Sequence, residues 1–230
     1  MNTDIGTLYI VATPIGNLED MTLRAIRILG EVDMILCEDT RTTKKLLDKY
    51  DIHTKTSSYH AHSTKGKEDA FVRMLQEGKN LALVSDAGTP CISDPGVLLV
   101  ASVRRAFGAD AKVVPIPGPS ALISALSASG ISSAEFVFLG FLPHKKGRET
   151  LFKEIATSER VMVFYESTHR ILKTLESLDS HAPHKSVMLA REITKTFEQF
   201  IEGTPSELLE YFTKNKDKQR GEFVVIVAPK

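Results

Sequence analysis

Residues 80–96 read NLALVSDAGTPCISDPG, an order that few folds accept. Leu81, Ala82, Leu83 and Val84 form an apolar run of strand length that stops at Ser85 and Asp86, where glycine and proline take over. This is the pattern of a buried parallel strand opening into a ligand loop. In open α/β sheets ligands sit beyond the carboxyl ends of strands, so Asp86 is delivered to the crevice and Gly88 lets main chain approach a ligand with no Cβ in the way. Ser93 or Asp94 is the expected N-cap of the following helix, with Pro95 at its first position and Leu98, Leu99, Val103 and Phe107 along it. The same residues also satisfy a plain βα turn with a capped helix.

Strand and helix alternate around this stretch. Residues 7–12 read as a buried strand, TPIGN as its loop, and Leu23, Ile26, Ile28 and Leu29 as the inner face of a helix. Residues 32–37 form a second strand that closes on Glu38 and Asp39, followed by a helix over 40–49 with Leu46 and Leu47 inward. A short extended piece at 55–60, a helix around Phe71 and Leu75, and a strand at 112–116 complete a parallel sheet with right-handed crossovers. Pro115, Pro117 and Pro119 around Gly118 mark a domain boundary, giving domains 1–118 and 119–230. Beyond it, strands at 135–141, 160–165, 185–190, 196–202 and 222–228 have helices between only some of them, so the second sheet is expected to be mixed.

The chain has 29 basic and 29 acidic residues among 230, and no field of one sign advertises nucleic acid or a membrane. Cys37 and Cys91 lie in no zinc-like spacing, and no segment reads as a signal peptide or a membrane span; a cytoplasmic location is expected. TPIGN holds one glycine where a dinucleotide fold needs three, which disfavours a nicotinamide or flavin dinucleotide, and the lack of a GxxxxGK(S/T) motif argues against a nucleotide-hydrolysing P-loop. His60 and His62 are too few for catalytic zinc, and no metal is expected.

Three strand ends carry polar groups. Glu38, Asp39, Thr40 and Arg41 face either a ligand or the next helix, where Asp39 or Thr40 would be only an N-cap. In FYESTHR, Glu166 or His169 is placed as a base, or else Glu166 pairs with Arg170 at i, i+4 spacing and Ser167 caps a helix. Arg191, Glu192, Lys195 and Glu198 follow a third strand. Two basic stretches, Lys145, Lys146 and Arg148, then Lys214 to Arg220, suit phosphates or an ordinary surface; the second is also a candidate arm that orders on binding.

In order, TPIGN, CEDTR, SDAGTPCISDPG, PIPGPSA, GFLP, FYESTHR, REITKTFEQ and RGEFVVIV resemble the tetrapyrrole methylase superfamily, in its branch that methylates a cytidine ribose of small-subunit (16S) ribosomal RNA. The resemblance implies a two-lobed α/β fold, with an N-terminal parallel Rossmann-like sheet and a C-terminal mixed sheet. It further implies a homodimer without membrane attachment, S-adenosylmethionine as cofactor between the lobes, and small-subunit RNA or the 30S subunit as partner. The family's cofactor segments map onto Asp86, Ala87, Gly88, Ile92 and Ser93, and onto Ser120 and Ala121, with Pro14, Tyr165 and Ala190 at corresponding strand ends. A ribose hydroxyl needs a base, and the candidates are Glu166, Glu38, Asp39 and Lys195, with Glu166 ahead because its strand end should face the cleft. Arg41, His60, Arg170 and Arg191 are cast as substrate positioners. The alternatives are a tetrapyrrole or diphthine-type methyltransferase with the same cofactor site, and a non-enzymatic ribosome assembly factor.

Overall fold

The computed structural model describes residues 4–60 and 65–229. The chain divides into two compact units, one up to Ser120 and one from Ala121 onward.

The first unit is a five-stranded, all-parallel sheet of β1 (Leu8–Val11), β2 (Met34–Cys37), β3 (Thr56–Ser58), β4 (Leu81–Leu83) and β5 (Val113–Ile116) in the order β3-β2-β4-β1-β5. Helices cover both faces, so the central strands are apolar on both sides rather than alternating. On one face α1 (Leu23–Glu31) and α2 (Thr40–Lys49) press Ala25, Ile28, Leu29, Leu46 and Leu47 onto Val11, Ile35, Cys37 and Ala82. On the other, α3 (Lys65–Gln76) and α4 (Val97–Phe107) press Phe71, Leu75, Leu99 and Val103 onto Leu8, Leu36, Leu81 and Leu83. Each such fully buried side chain contributes roughly 1.5–3 kcal/mol. Leu23 is 87% exposed, and Ala25 takes its expected place on the inner face. Pro115 is tolerated inside β5 because that strand is an edge, where a missing N–H costs no ladder bond.

The chain leaves β1 for α1 on one face and leaves the adjacent β4 for α4 on the other. The switch point of the doubly wound sheet therefore lies between β1 and β4, at their carboxyl ends. Thr22 and Asp39 cap α1 and α2 by accepting the N–H of Ala25 and Arg41. The N-cap of α4 is Gly96 at φ 131°, with no side-chain cap, rather than Ser93 or Asp94, and Pro95 precedes it. A Cβ on Gly96 would lie 2.6 Å from Leu83 Cδ2 and 2.7 Å from Cys91 Sγ, so both backbone and packing demand glycine there.

The second unit is a mixed sheet of β6 (Phe136–Phe141), β7 (Val161–Ser167), β8 (Val187–Arg191), β9 (Gln199–Gly203) and β10 (Glu222–Val227), ordered β6-β7-β10-β8-β9. Only β6 and β7 are parallel. The helices α6 (Arg148–Thr157), α7 (Ile171–His181) and α8 (Pro205–Lys214) bury Phe152, Ile155, Leu175, Leu178, Leu208 and Phe212 against one face of the sheet, and α5 (Ala121–Ala128) meets β10. The Thr204–Glu207 capping box starts α8. Lys214 ends α8 and residues 216–219 form a 3-10 turn whose Gln219 Nε2 donates to Phe212 O at 2.8 Å, so the expected binding-ordered arm is already built into the fold. Among the described residues no helix is long and apolar enough to cross a membrane.

Candidate active site

The first unit gathers its polar groups at the switch point. Thr13, buried just past β1, and Gly88, just past β4, exchange both backbone bonds: Thr13 N–H donates to Gly88 O and Gly88 N–H to Thr13 O, each at 2.9 Å. Thr13 Oγ1 also donates to Ser85 O at 3.1 Å, and Thr89 Oγ1 to Pro119 O at 3.2 Å. Three loops are thereby fixed to one another. The amide of Gly88 is consumed by this bridge and is not one of the ligand donors the sequence suggests. What requires glycine is its φ of 80°, since a Cβ would meet nothing nearer than Ile15 Cγ2 at 3.5 Å. Cys91 (φ 71°) and Ser93 (φ 65°) are also left-handed, a concentration of backbone strain of the kind that marks ligand loops.

Four carboxylates stand at this edge, Glu38, Asp39, Asp86 and Asp94. Asp86 is exposed, and its Oδ1 accepts the N–H of Asp39 at 3.1 Å, which draws the β4 loop to the end of β2. Burial, and then the charge of Asp86, push the half-buried Glu38 carboxyl up, and His60 opposes part of that rise. Burial and the charges of Glu38 and Asp86 push Asp94 up to about 6, against a Ser85 hydrogen bond that lowers it. Asp39 goes the other way. Hydrogen bonds from the Arg41 side chain and backbone hold it down at about 2, and its oxygens are taken by that guanidinium and by the helix cap. Asp39 is thus the N-cap, and Arg41, 88% exposed, is locked onto it.

Asp94 is the residue that sequence reasoning missed as a titrating group. A signal was present: SDPG repeats SDAG within one loop, each aspartate standing two residues before a glycine of positive φ. Of the cofactor residues mapped by resemblance, Pro14 and Gly88 are buried, Asp86, Ala87, Ile92 and Ser93 are exposed around the loop, and Ser120 and Ala121 are half-buried before and at the start of α5. His62 lies outside the described residues. Among those described, no three His, Cys, Asp or Glu side chains are placed to hold a metal.

In the second unit, register sorts the candidates. Phe141, Tyr165, Val224, Ala190 and Phe200 are successive cross-strand partners and so share one face, on which Tyr165 packs edge-on against Phe138 and tilted against Phe141. The adjacent row, Glu166, Phe223, Arg191 and Gln199, points to the opposite face, because successive side chains of a strand alternate. That face is covered by the helices, and Glu166 and Arg191 are both buried. Glu166 accepts hydrogen bonds from Thr174 Oγ1 (2.6 Å) and Ser167 N–H (2.8 Å) and pairs with Arg170 Nε (3.2 Å). Both its oxygens are engaged by buried partners, so the geometry favours an architectural role over the leading base assignment. Arg170 is occupied by Glu166 and Leu142 O, and Arg191 by Arg220 O and Phe197 O, which makes them braces rather than substrate positioners. For Lys195 desolvation lowers the pKa, but the carboxylates of Glu222 (2.8 Å) and Glu192 (2.9 Å) outweigh it and hold the amine above its ordinary value. A lysine base requires the reverse.

The doubly wound unit, with its strained, carboxylate-rich loop at the switch point, and most of the mixed-sheet unit that follows fall within residues 7–209, which the family model described as Tetrapyrrole (Corrin/Porphyrin) Methylases matches. Proteins named ribosomal RNA small subunit methyltransferase I are 51% identical in Vibrio cholerae (96% of this chain, 76% of that protein) and 48% identical in Synechocystis (97% and 79%). The structure of a Thermus thermophilus uroporphyrin-III C-methyltransferase complexed with S-adenyl homocysteine shares the fold at TM-score 0.64 and 16% identity, over 97% of each chain. The chain belongs to the tetrapyrrole methylase family, within the branch formed by these small-subunit methyltransferases.

Proposed function

We propose that this protein transfers a methyl group from S-adenosylmethionine to the 2′-hydroxyl of a cytidine in small-subunit ribosomal RNA. Its relatives' names and the carboxylate-lined switch point support this reading, and the first observation carries it. The loop residues suit such a cofactor: Ala87, Gly88, Ser120 and Ala121 are small, no phosphate cradle is present, and Glu38, Asp86 and Asp94 create a negative edge that favours a cationic group. Bound there, the cofactor would supply an electrophilic methyl on a sulfonium, with the neutral thioether as its leaving group.

The remaining work falls to the protein. Orientation of the hydroxyl contributes up to about 7–11 kcal/mol, and a base roughly 10²–10⁴-fold. Glu38 is the carboxylate best fitted to take the hydroxyl proton. It is half-buried, joins no ion pair among the described residues, and its raised pKa makes it a stronger base than an ordinary carboxylate. Asp39 is too acidic, Lys195 too firmly protonated and Glu166 too thoroughly bonded for that role. Pro14, Asp86, Ile92 and Ser93 in the first unit, and Tyr165 and Ala190 on the row of the second that α6, α7 and α8 do not cover, remain the proposed cofactor contacts. His60 is the proposed positioner beside Glu38. A homodimer and a cytoplasmic site of action belong to the same proposal.

Methyl-labelled cofactor, offered in parallel to small ribosomal subunits, free 16S RNA, a tetrapyrrole and a diphthine precursor, tests the reading. Label in the RNA is expected. Label in another acceptor, or none with heat of cofactor binding also absent, would transfer the assignment to the tetrapyrrole or diphthine enzymes or to a non-enzymatic assembly factor respectively.

A further inference from the structure

The second unit has a loop edge whose features the transfer chemistry does not use. The carboxyl ends of β6, β7 and β8 and the amino ends of β9 and β10 all lie along it, as the pairing directions require. Two basic stretches about 70 residues apart in the chain therefore arrive at the same edge, one just after β6 and one just before β10. The structure sorts each of them. Arg148 turns inward, whereas Lys145 and Lys146 are exposed; Lys214 pairs with Glu210, whereas Lys216 and Arg220 are exposed. Among the described residues these four exposed cations have no ion-pair partner. Glu192 and Glu222 on the same edge are held by Lys195, while Glu198, which accepts from Thr194 N–H, and Asp217 beside Lys216 are exposed acids there. Phe197, in the loop between β8 and β9, is 71% exposed.

The loops that carry these groups are braced from behind. Arg170 Nη2 donates to Leu142 O at 2.5 Å and Arg148 Nη1 to Pro143 O at 3.4 Å, and both guanidiniums are organised by the buried Glu166–Thr174 pair. Arg191, also buried, donates to Arg220 O at 2.6 Å and Phe197 O at 3.1 Å. Thr168 Oγ1 joins the β7 loop to Gly221 O at 2.8 Å. Apolar side chains would hold such a core at least as well as buried ions do. What guanidiniums add is a fixed position for the carbonyls of residues 142, 143, 197 and 220, the segments that bear the free cations and the exposed ring.

Exposed cations on braced loops beside a projecting aromatic ring match a polymer of phosphates with unstacked bases. We propose that this edge is the RNA-docking surface, with Lys145, Lys146, Lys216 and Arg220 on backbone phosphates and Phe197 stacked on a splayed base. The proposal rests on RNA being the acceptor.

Filter binding of the full chain to 16S RNA across 50–200 mM salt, with label transfer measured alongside, tests it. The double variant Lys145→Glu, Lys146→Glu should weaken binding at least about tenfold and flatten the slope of log affinity against log salt by about 2. Phe197→Ala should weaken binding about tenfold and leave the slope unchanged, because stacking releases no counterions. Calorimetric affinity for S-adenosylmethionine should stay within about twofold in both, since none of the three residues is among the proposed cofactor contacts. Wild-type affinity and slope in the charge-reversed chain, or no loss with Phe197→Ala, would overturn the surface while label transfer by the wild type left the enzymatic reading standing. RNA binding without transfer would do the opposite, and an acidic protein competing better than RNA would reassign the edge.

Discussion

Replacing Glu166 by Gln separates building from chemistry. The Glu166 side chain has no exposed surface and satisfies Ser167 N–H, Thr174 Oγ1 and Arg170 Nε, so the amide removes the negative charge that two nearby guanidiniums face and turns an N–H₂ toward groups that are themselves donors. Removing one member of a buried ion pair costs about 3–5 kcal/mol. Arg170 keeps 16% of its side-chain surface and the carbonyl of Leu142, which places the loss at the lower end, about 3 kcal/mol. For a chain of this size melting as one body each kcal/mol moves the melting temperature by about 2–4 °C, so the transition should fall by about 6–12 °C, and by more where the smaller second unit melts by itself. Scanning calorimetry resolves that transition even when the two units melt separately. Turnover at saturating subunit, well below the transition, should remain within about threefold of wild type, because a base would have cost roughly 10²–10⁴-fold. Glu38→Gln should behave in reverse. Its charge is repelled by Asp86 and Asp94, so the melting temperature should hold or rise while turnover falls by that factor. A Glu166→Gln protein that melted normally and lost turnover, or a Glu38→Gln protein with wild-type turnover, would refute the assignment of roles.

Two further outcomes follow from the same edge of the sheet. Asp94 has a folded pKa of about 6 against an ordinary 3.8, so its protonated form is favoured in the fold: stability from this group is full below about pH 4 and is lost as pH rises through 6. Urea denaturation should therefore find Asp94→Asn more stable than wild type at pH 7 and equal to it near pH 4; equality at both would show that the carboxylate is not strained. Gly88→Ala should cost about 1–2 kcal/mol, from backbone alone, whereas Gly96→Ala should cost about 1–3 kcal/mol more, because its Cβ meets Leu83 and Cys91 within 2.7 Å. Urea midpoints for the two variants in the opposite order would contradict the packing at the start of α4.

Much of the fold was legible in residue order. The helix at Thr40–Lys49 and the strands around it follow from apolar runs and caps, and the mixed character of the second sheet from the lack of crossover helices. The start of α4 was not, because Ser93 and Pro95 are strong local signals that lose to left-handed backbone at Cys91 and Ser93 and to close packing at Gly96. Site residues were harder still. Glu166 and Tyr165 are neighbours in sequence and both stand at a strand end, and only the pairing register reveals which face the helices cover. The pairing of Lys195 with Glu192 and Glu222 depends on β10 returning beside β8, a long-range contact that spacing does not encode.

The central claim is methyl transfer to one ribose of small-subunit RNA, and a ribose-methylation map of 16S RNA from cells with and without this protein tests it most directly. One cytidine should lose its 2′-O-methyl group when the protein is absent and regain it when the wild-type chain, but not Glu38→Gln, is supplied. Identical maps from the two cell lines would contradict the account.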